Sequence, residues 1–168
     1  RSMQFGGEAI KVANNRVYNC AFMPVDSYNS FSEAMFLLLG GTGVGYSVQK
    51  DNTNQIPPRV SKSKHEMKTI HYQVGDSIEG WADAVRQAVI SKMFGINTDF
   101  DYSQVRPKGS LIKTSGGRAP GPAPLKTCID RIMDTIDDRV KYGERMSPLV
   151  AHDIMCHLAD AVLSGGIR

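Results

Sequence analysis

Arg16-Val17-Tyr18-Asn19-Cys20-Ala21-Phe22-Met23-Pro24-Val25, an apolar stretch from Ser30 to Leu39, and then Gly40-Gly41-Thr42-Gly43-Val44-Gly45-Tyr46-Ser47-Val48 together decide the fold class. Residues 16–25 are dominated by β-branched and aromatic side chains up to a proline, which predicts a strand with Cys20 in its middle. Ser30, with Glu33 three residues later, has the spacing of a reciprocal capping box and predicts a helix start. Gly40-Gly41 stops that helix, because glycine accepts the left-handed geometry of a helix end without a Cβ clash. Val44–Val48 then reads as a second short strand. A strand, a helix and a strand in 33 residues set an alternating pattern.

The pattern continues outward. Residues 50–67 are polar, carry Pro57-Pro58 and several lysines, and read as an exposed connection. Thr69–Val74 is a third expected strand. Asp76 and Glu79 form a second capping-box pair. After them Ile78, Trp81, Ala82, Val85, Val89 and Met93 recur at three- and four-residue spacing, one buried helix face. Residues 100–106 return to a strand-like pattern. The proline- and glycine-rich run 106–124 leads into a helix with Ile129, Ile132, Met133, Ile136 and Val140 on one face. Ser147 caps a last helix with Pro148 at its first position, where a missing N–H costs nothing. Alternating strands and helices favour an α/β architecture.

The 168 residues are 41% hydrophobic and 22% charged, enough apolar material for one ordinary core. That composition argues against disordered, collagen-like and disulfide-scaffold classes. Twenty basic against seventeen acidic residues leave a formal charge of +3. This excess is too weak and too scattered to expect a nucleic-acid partner. The longest apolar run, Ala34–Leu39, ends at Gly40, so no membrane span is expected. The start, Arg1-Ser2-Met3-Gln4, has no leader pattern, and both ends read as cuts in a longer chain. Three cysteines, Cys20, Cys128 and Cys156, are odd in number and far apart. Such spacing suits a reducing compartment, and hence a cytoplasmic location, better than a disulfide framework.

Several stretches could carry chemistry. Cys20 is either a buried strand cysteine acting as a small hydrophobe or a thiol facing a cleft. Gly40–Gly45 lies after a helix and before a strand, the reverse of phosphate loops that end at a helix N-terminus. It lacks Gly-Lys-Ser/Thr as well. Close approach of bare backbone to a ligand is the better reading. In Thr114–Pro122, flexible glycines, stiff prolines and the single cation Arg118 read as a surface loop whose guanidinium could reach an anionic or planar ligand. His152/Cys156 and Asp153/His157 each share a helix face, but structural zinc needs four ligands and no second cluster is visible. Cys128 reads as core, and Lys62, Lys64 and Lys68 as a solvated face.

Taken in order, Arg16–Cys20, Gly40–Ser47, Val105–Gly109 leading into Ser115–Leu125, Asp153–Cys156 and Ala161–Arg168 resemble one family. This is the catalytic subunit of ribonucleotide reductase, most closely the adenosylcobalamin-dependent (class II) ribonucleoside-triphosphate reductases. The resemblance implies a ten-stranded α/β barrel of which residues 1–168 are roughly the first half, truncated at both ends. It implies that Cys20 is the first cysteine of a redox pair beneath the substrate ribose, helping the 2′-hydroxyl leave as water and ending in a disulfide. Asn19, Thr42 and Gly43 would line the substrate site, and Arg118 would touch substrate. Asp26 would contact an allosteric deoxynucleotide effector, and Ser115, Gly116, Gly117, Ala119 and Gly121 would belong to the mobile specificity loop. Adenosylcobalamin is the implied cofactor, with contacts mostly outside this chain. The implied partners are a ribonucleotide, the effector, an external dithiol such as thioredoxin, and the remainder of the catalytic chain. The partner and radical cysteines would follow Arg168, leaving this segment inactive alone. Some relatives carry a long insertion that mimics a dimer partner, whereas the stretch from Cys20 to Ser30 is short.

Two other classes fit parts of the sequence. A nucleotide-binding regulatory module would use Arg118 and the glycine turns while Cys20 is packing. A metal-stabilised helical domain would use His152 and Cys156. The accessibility of Cys20 separates the first from a reductase.

Overall fold

The computed structural model describes residues 7, 10, 11, 13–60, 69–112 and 117–165. A 3₁₀ turn, Asn14–Val17, precedes strand β1 (Cys20–Pro24), helix α1 (Asn29–Leu39) and strand β2 (Gly43–Ser47). A short helix α2 (Lys50–Thr53), strand β3 (Thr69–Gln73), helix α3 (Ile78–Phe94) and strand β4 (Asn97–Asp101) follow. Helices α4 (Ala123–Arg139) and α5 (Pro148–Gly165) close the chain. β1 pairs with β2 and β3 with β4, both in parallel, with registers Cys20 opposite Gly43 and Thr69 opposite Asn97. Parallel neighbours need a crossover, and α1 and α3 supply it. The expected α/β class holds. The described strands form two separate two-stranded sheets rather than one continuous half-barrel sheet.

The core belongs mainly to the helices. α1 packs on α3, α3 on α4, α4 on α5, and α5 back on α1, a closed cycle of four. Phe31, Met35 and Leu39 of α1, Trp81, Val89 and Met93 of α3, Leu125, Ile129, Ile132 and Ile136 of α4, and Ile154 and Leu158 of α5 are buried between them. The 3.6-residue apolar periodicity foresaw the faces of α3 and α4. Met133 is only partly buried, and Val140 is buried just past the end of α4 as its C-cap.

Several local expectations are corrected. The first strand begins at Cys20, not Arg16, because residues 14–17 close into a turn in which the Tyr18 amide donates to the Asn15 carbonyl (3.2 Å). Cys20 therefore opens the strand. Ser30 is not a cap: it lies inside α1, accepts the Asp26 and Ser27 amides (3.3 and 3.2 Å) and donates to the Asp26 carboxylate (3.2 Å). The cap of α3 is Ser77, which accepts the Gly80 amide at 2.9 Å. Asp76 instead receives Arg106 Nε at 2.6 Å. The fourth strand comes earlier than residues 100–106, because the Asp101 carboxylate accepts the Ser103 amide and hydroxyl and turns the chain. Ser147 does cap α5, accepting the Val150 amide at 3.3 Å.

The connection 50–67 is not wholly exposed. Thr53 and Ile56 are buried, and so is Arg59, at 4% exposure. Arg59 donates to the carbonyls of Lys92 (2.9 Å), Ile136 (3.2 Å) and Val140 (2.7 Å), pairs with Asp137, and lies over the Tyr142 ring at 4.5 Å. It ties the ends of α3 and α4 together. Lys62, Lys64 and Lys68 lie outside the described residues.

Candidate active site

Four of the expected site residues come together where β1 and β2 begin. Gly41 takes φ +93°, a turn open to glycine, and carries the chain from α1 into β2. Thr42 is buried, and its hydroxyl donates to the Tyr18 carbonyl at 3.0 Å. The Gly43 amide donates to the Asn19 carbonyl at 2.9 Å. These two bonds clamp the start of β1, and Cys20 follows immediately, opposite Gly43. The thiol is exposed, and the Asn19 side-chain amide donates to its sulfur at 3.5 Å. The buried-cysteine reading of Cys20 is thereby set aside.

Strand alternation explains the exposure. Met23 faces the helices, whereas Cys20, Phe22 and Pro24 face outward. Tyr18 is 64% and Phe22 73% exposed beside the thiol. Gly43 and Gly45 of β2 are exposed too. A Cβ at either would meet nothing nearer than 3.6 Å, so the fold itself does not require glycine there. What the two glycines do is leave peptide bare next to the thiol. Crowding is found instead at Gly40, where a Cβ would lie 2.7 Å from Asn15 Nδ2.

The other expected residues lie in two further places. Asp26 follows the far end of β1, about 20 Å from Cys20 at the strand rise of 3.3 Å per residue, with its carboxylate engaged by Ser30. The run after Arg106 is more regular than an irregular surface loop. Gly109 donates to the Ala119 carbonyl (2.8 Å), Ala119 to Ser110 (2.7 Å) and Ile112 to Gly117 (2.8 Å), a narrow antiparallel ladder. Gly117 and Arg118 are exposed on it, and Ala119 and Gly121 are buried at its foot. Arg118 donates to the Gly109 carbonyl at 3.0 Å. Gly121 has φ +78°, and a Cβ there would meet Lys108 N at 3.0 Å. Ser115 and Gly116 lie outside the described residues.

Beneath this ladder, a hollow of about 330 Å³ opens against α4 and α5, lined in part by Lys108, Pro120, Arg131, His157 and Asp160. Arg131 donates to Asp160 at 2.7 Å, and Thr135 is hydrogen-bonded to His157 at 3.1 Å. Burial, and then the Arg131 charge, hold the His157 imidazole below its usual range. Sequence reasoning missed Arg131 and Asp160, because single charges on two different helices carry no spacing signal. Cys128 adjoins the hollow but is buried, and desolvation pushes its thiol up to about 12. It is packing, as expected. His152 and Cys156 adjoin each other, but among the described residues no three His, Cys, Asp or Glu side chains gather as a metal site. Nor is any described helix long and apolar enough to cross a membrane.

The fold of the chain is similar to a known one. The chain superposes on the crystal structure of a B12-dependent (class II) ribonucleotide reductase with a TM-score of 0.71 at 25% identity, over 88% of this chain and 28% of that one. The adenosylcobalamin-dependent ribonucleoside-triphosphate reductase of Lactobacillus helveticus is 29% identical over 175 residues, covering 82% of this chain and 23% of its own length. The enzyme of the same description from Euglena gracilis is 26% identical over 155 residues, covering 89% of this chain and 21% of its own length. The family model described as the insertion domain of B12-dependent ribonucleotide reductase matches residues 48–136, from the end of β2 into α4. The chain belongs to the B12-dependent ribonucleotide reductase family. It spans less than a quarter of the length of these curated relatives.

Proposed function

We propose that this chain is part of a ribonucleotide reductase that converts ribonucleoside tri- or diphosphates to deoxyribonucleotides by thiyl-radical chemistry, with Cys20 as one of the two reducing thiols. Residues 1–168 then form a partial catalytic barrel domain that carries the matched insertion within it. The observation that carries the reading is the exposed Cys20 thiol at the clamped start of β1, beside bare glycine backbone. Reduction of a ribonucleotide needs two electrons and two protons. Two thiols supply them when a disulfide forms and the 2′-hydroxyl leaves as water. A thiol held by paired backbone keeps the short, fixed reach such a step requires. The family resemblance puts the second thiol in the remainder of the catalytic chain; of the other cysteines here, Cys128 is buried and Cys156 lies on α5.

In this reading Asn19 orients the sulfur, and Thr42 with Gly43 holds the strand start against the sugar. Asp26 contacts a deoxynucleotide effector. The 115–121 segment carries the effector's identity toward the base, with Arg118 meeting the substrate. An external dithiol such as thioredoxin resets the disulfide, and the protein is cytoplasmic. The relatives are described as adenosylcobalamin-dependent. The hollows of about 330 and 470 Å³ among the described residues are of a size for small ligands. The resemblance to those relatives puts the corrin's contacts mostly outside these residues, and no step here runs through it.

The test is Cys20→Ser in the complete enzyme, assayed with a dithiol reductant. Turnover is expected to fall to background with folding unchanged. Turnover near the unmodified level would overturn the assignment.

A further inference from the structure

A second exposed thiol has a base beside it, which Cys20 lacks among the described residues. Cys156 and His152 stand one turn apart on α5, with the sulfur 3.6 Å from His152 Nε2. The other ring nitrogen, Nδ1, is hydrogen-bonded to the Tyr46 hydroxyl of β2 at 2.8 Å. Two hydrogen-bonded neighbours and a tilted ring contact with Tyr46 at 5.9 Å fix the imidazole. With the Tyr46 oxygen accepting Nδ1–H, Nε2 carries the lone pair that faces the sulfur. Burial first, and then the neighbouring Cys156, raise the Tyr46 phenol, which therefore stays protonated and available to donate toward a thiolate. Asp153, on the same helix, is turned to an ion pair with Arg139. Among the described residues, the hydrogen-bond partner of the Cys20 sulfur is the Asn19 side-chain amide, and Cys128 is buried.

We propose that Cys156, with His152 as base and Tyr46 as the group that orients it, is a modification site for soft electrophiles, hydrogen peroxide foremost. Nothing in the reductase reading assigns it a role. In the step, His152 Nε2 takes the thiol proton and the thiolate attacks one peroxide oxygen. An S–O bond forms as the O–O bond breaks. The departing hydroxide takes the proton back from the imidazolium, so thiol and peroxide become sulfenic acid and water. The sulfur is oxidised by two electrons and the peroxide reduced by two. The thiolate is the reactive form, so a base that raises its fraction raises the rate.

The experiment follows each cysteine separately. The full-length protein is treated with iodoacetamide near pH 7, and labelling of the Cys20, Cys128 and Cys156 peptides is timed by mass spectrometry. Cys156 is expected to label fastest and Cys128 slowest. His152→Gln should slow Cys156 about tenfold, because the base 3.6 Å from the sulfur is removed, and leave Cys20 unchanged. Tyr46→Phe should slow it in the same direction. Protection of Cys128 reports that each variant is folded, and the Tyr46 variant decides alone if the His152 variant loses that protection. A parallel arm with hydrogen peroxide and then dimedone should place the adduct on Cys156. The proposal is overturned if Cys156 labels no faster than Cys20, if a folded variant leaves its rate unchanged, or if peroxide yields no adduct there.

Discussion

Arg59→Ala should unfold this molecule far more easily than its place in a polar, proline-bearing connection suggests. The guanidinium is nearly sequestered from water and serves carbonyls at the ends of two helices, Lys92 on α3 and Ile136 and Val140 at the end of α4. The Ile136 carbonyl keeps the Val140 amide at 3.0 Å when Arg59 is removed. The Lys92 and Val140 carbonyls each lose a charge-assisted bond, worth about 1.5 kcal/mol at the lower end for charged donors. Asp137 retains Lys92 and is substantially exposed, so its loss is discounted to a fraction of a buried pair. Lost packing on Tyr142 adds to this. The sum is about 3–4 kcal/mol, or a fall in melting temperature of about 10 °C for a chain of this size. Arg59→Lys should recover little, because one ammonium cannot replace a planar fork reaching two helices.

The same residue has a pH signature. Burial alone would raise the Asp137 carboxyl, but Lys92 and Arg59 outweigh it and hold it below the ordinary range. A depressed carboxylate stabilises the fold above its unfolded pKa of about 3.9 and loses that contribution as pH falls through the folded value. Urea unfolding at pH 7 and near pH 3 should therefore show a smaller acid-induced loss in Arg59→Ala than in the unmodified protein. A pH 7 difference below about 1 kcal/mol would refute the reasoning, since it would equate this residue with an exposed surface cation.

Two further expectations concern α3. Gly80→Ala should destabilise by about 1–3 kcal/mol despite the better helix propensity of alanine, because its Cβ would lie 2.5 Å from the Gly75 carbonyl oxygen; thermal unfolding checks the sign. Ser77→Ala should cost about 1 kcal/mol, as loss of a helix cap does, whereas Glu79→Ala should change little, because Ser77 and not a capping box holds the Gly80 amide; denaturant midpoints of the two variants decide between them.

The helices were legible because their signal is periodic. Trp81, Val85, Val89 and Met93 recur on one face, and tertiary packing uses the same face. Caps were less legible. Ser30 and Ser77 are both serines near a helix start, and only the path of the preceding chain decides which one bonds an amide of the helix's own first turn. Arg59 was illegible, since its partners lie 33 to 81 residues away in sequence. Around Cys20, the strand and the glycine turn could be read, but their pairing could not, because strand order leaves no local signal in the sequence. The thiol's outward face could not be read, because alternation fixes which residues share a side but not which side meets the core. The ladder linking Gly109 to Ala119 was hidden by glycines and prolines, which signal irregularity even where the backbone pairs.

The cyclic packing of the four long helices also bears on how the molecule breathes. Each strand pair adjoins this frame through its connecting helix, and each rests on a single ladder. Small units with few backbone bonds open at a lower free energy than a packed interior. Amide hydrogens of β1 and β2 should thus exchange with deuterated solvent well before those of α3 and α4. The edge bearing Cys20 can fray and re-form while the helical frame stays shut.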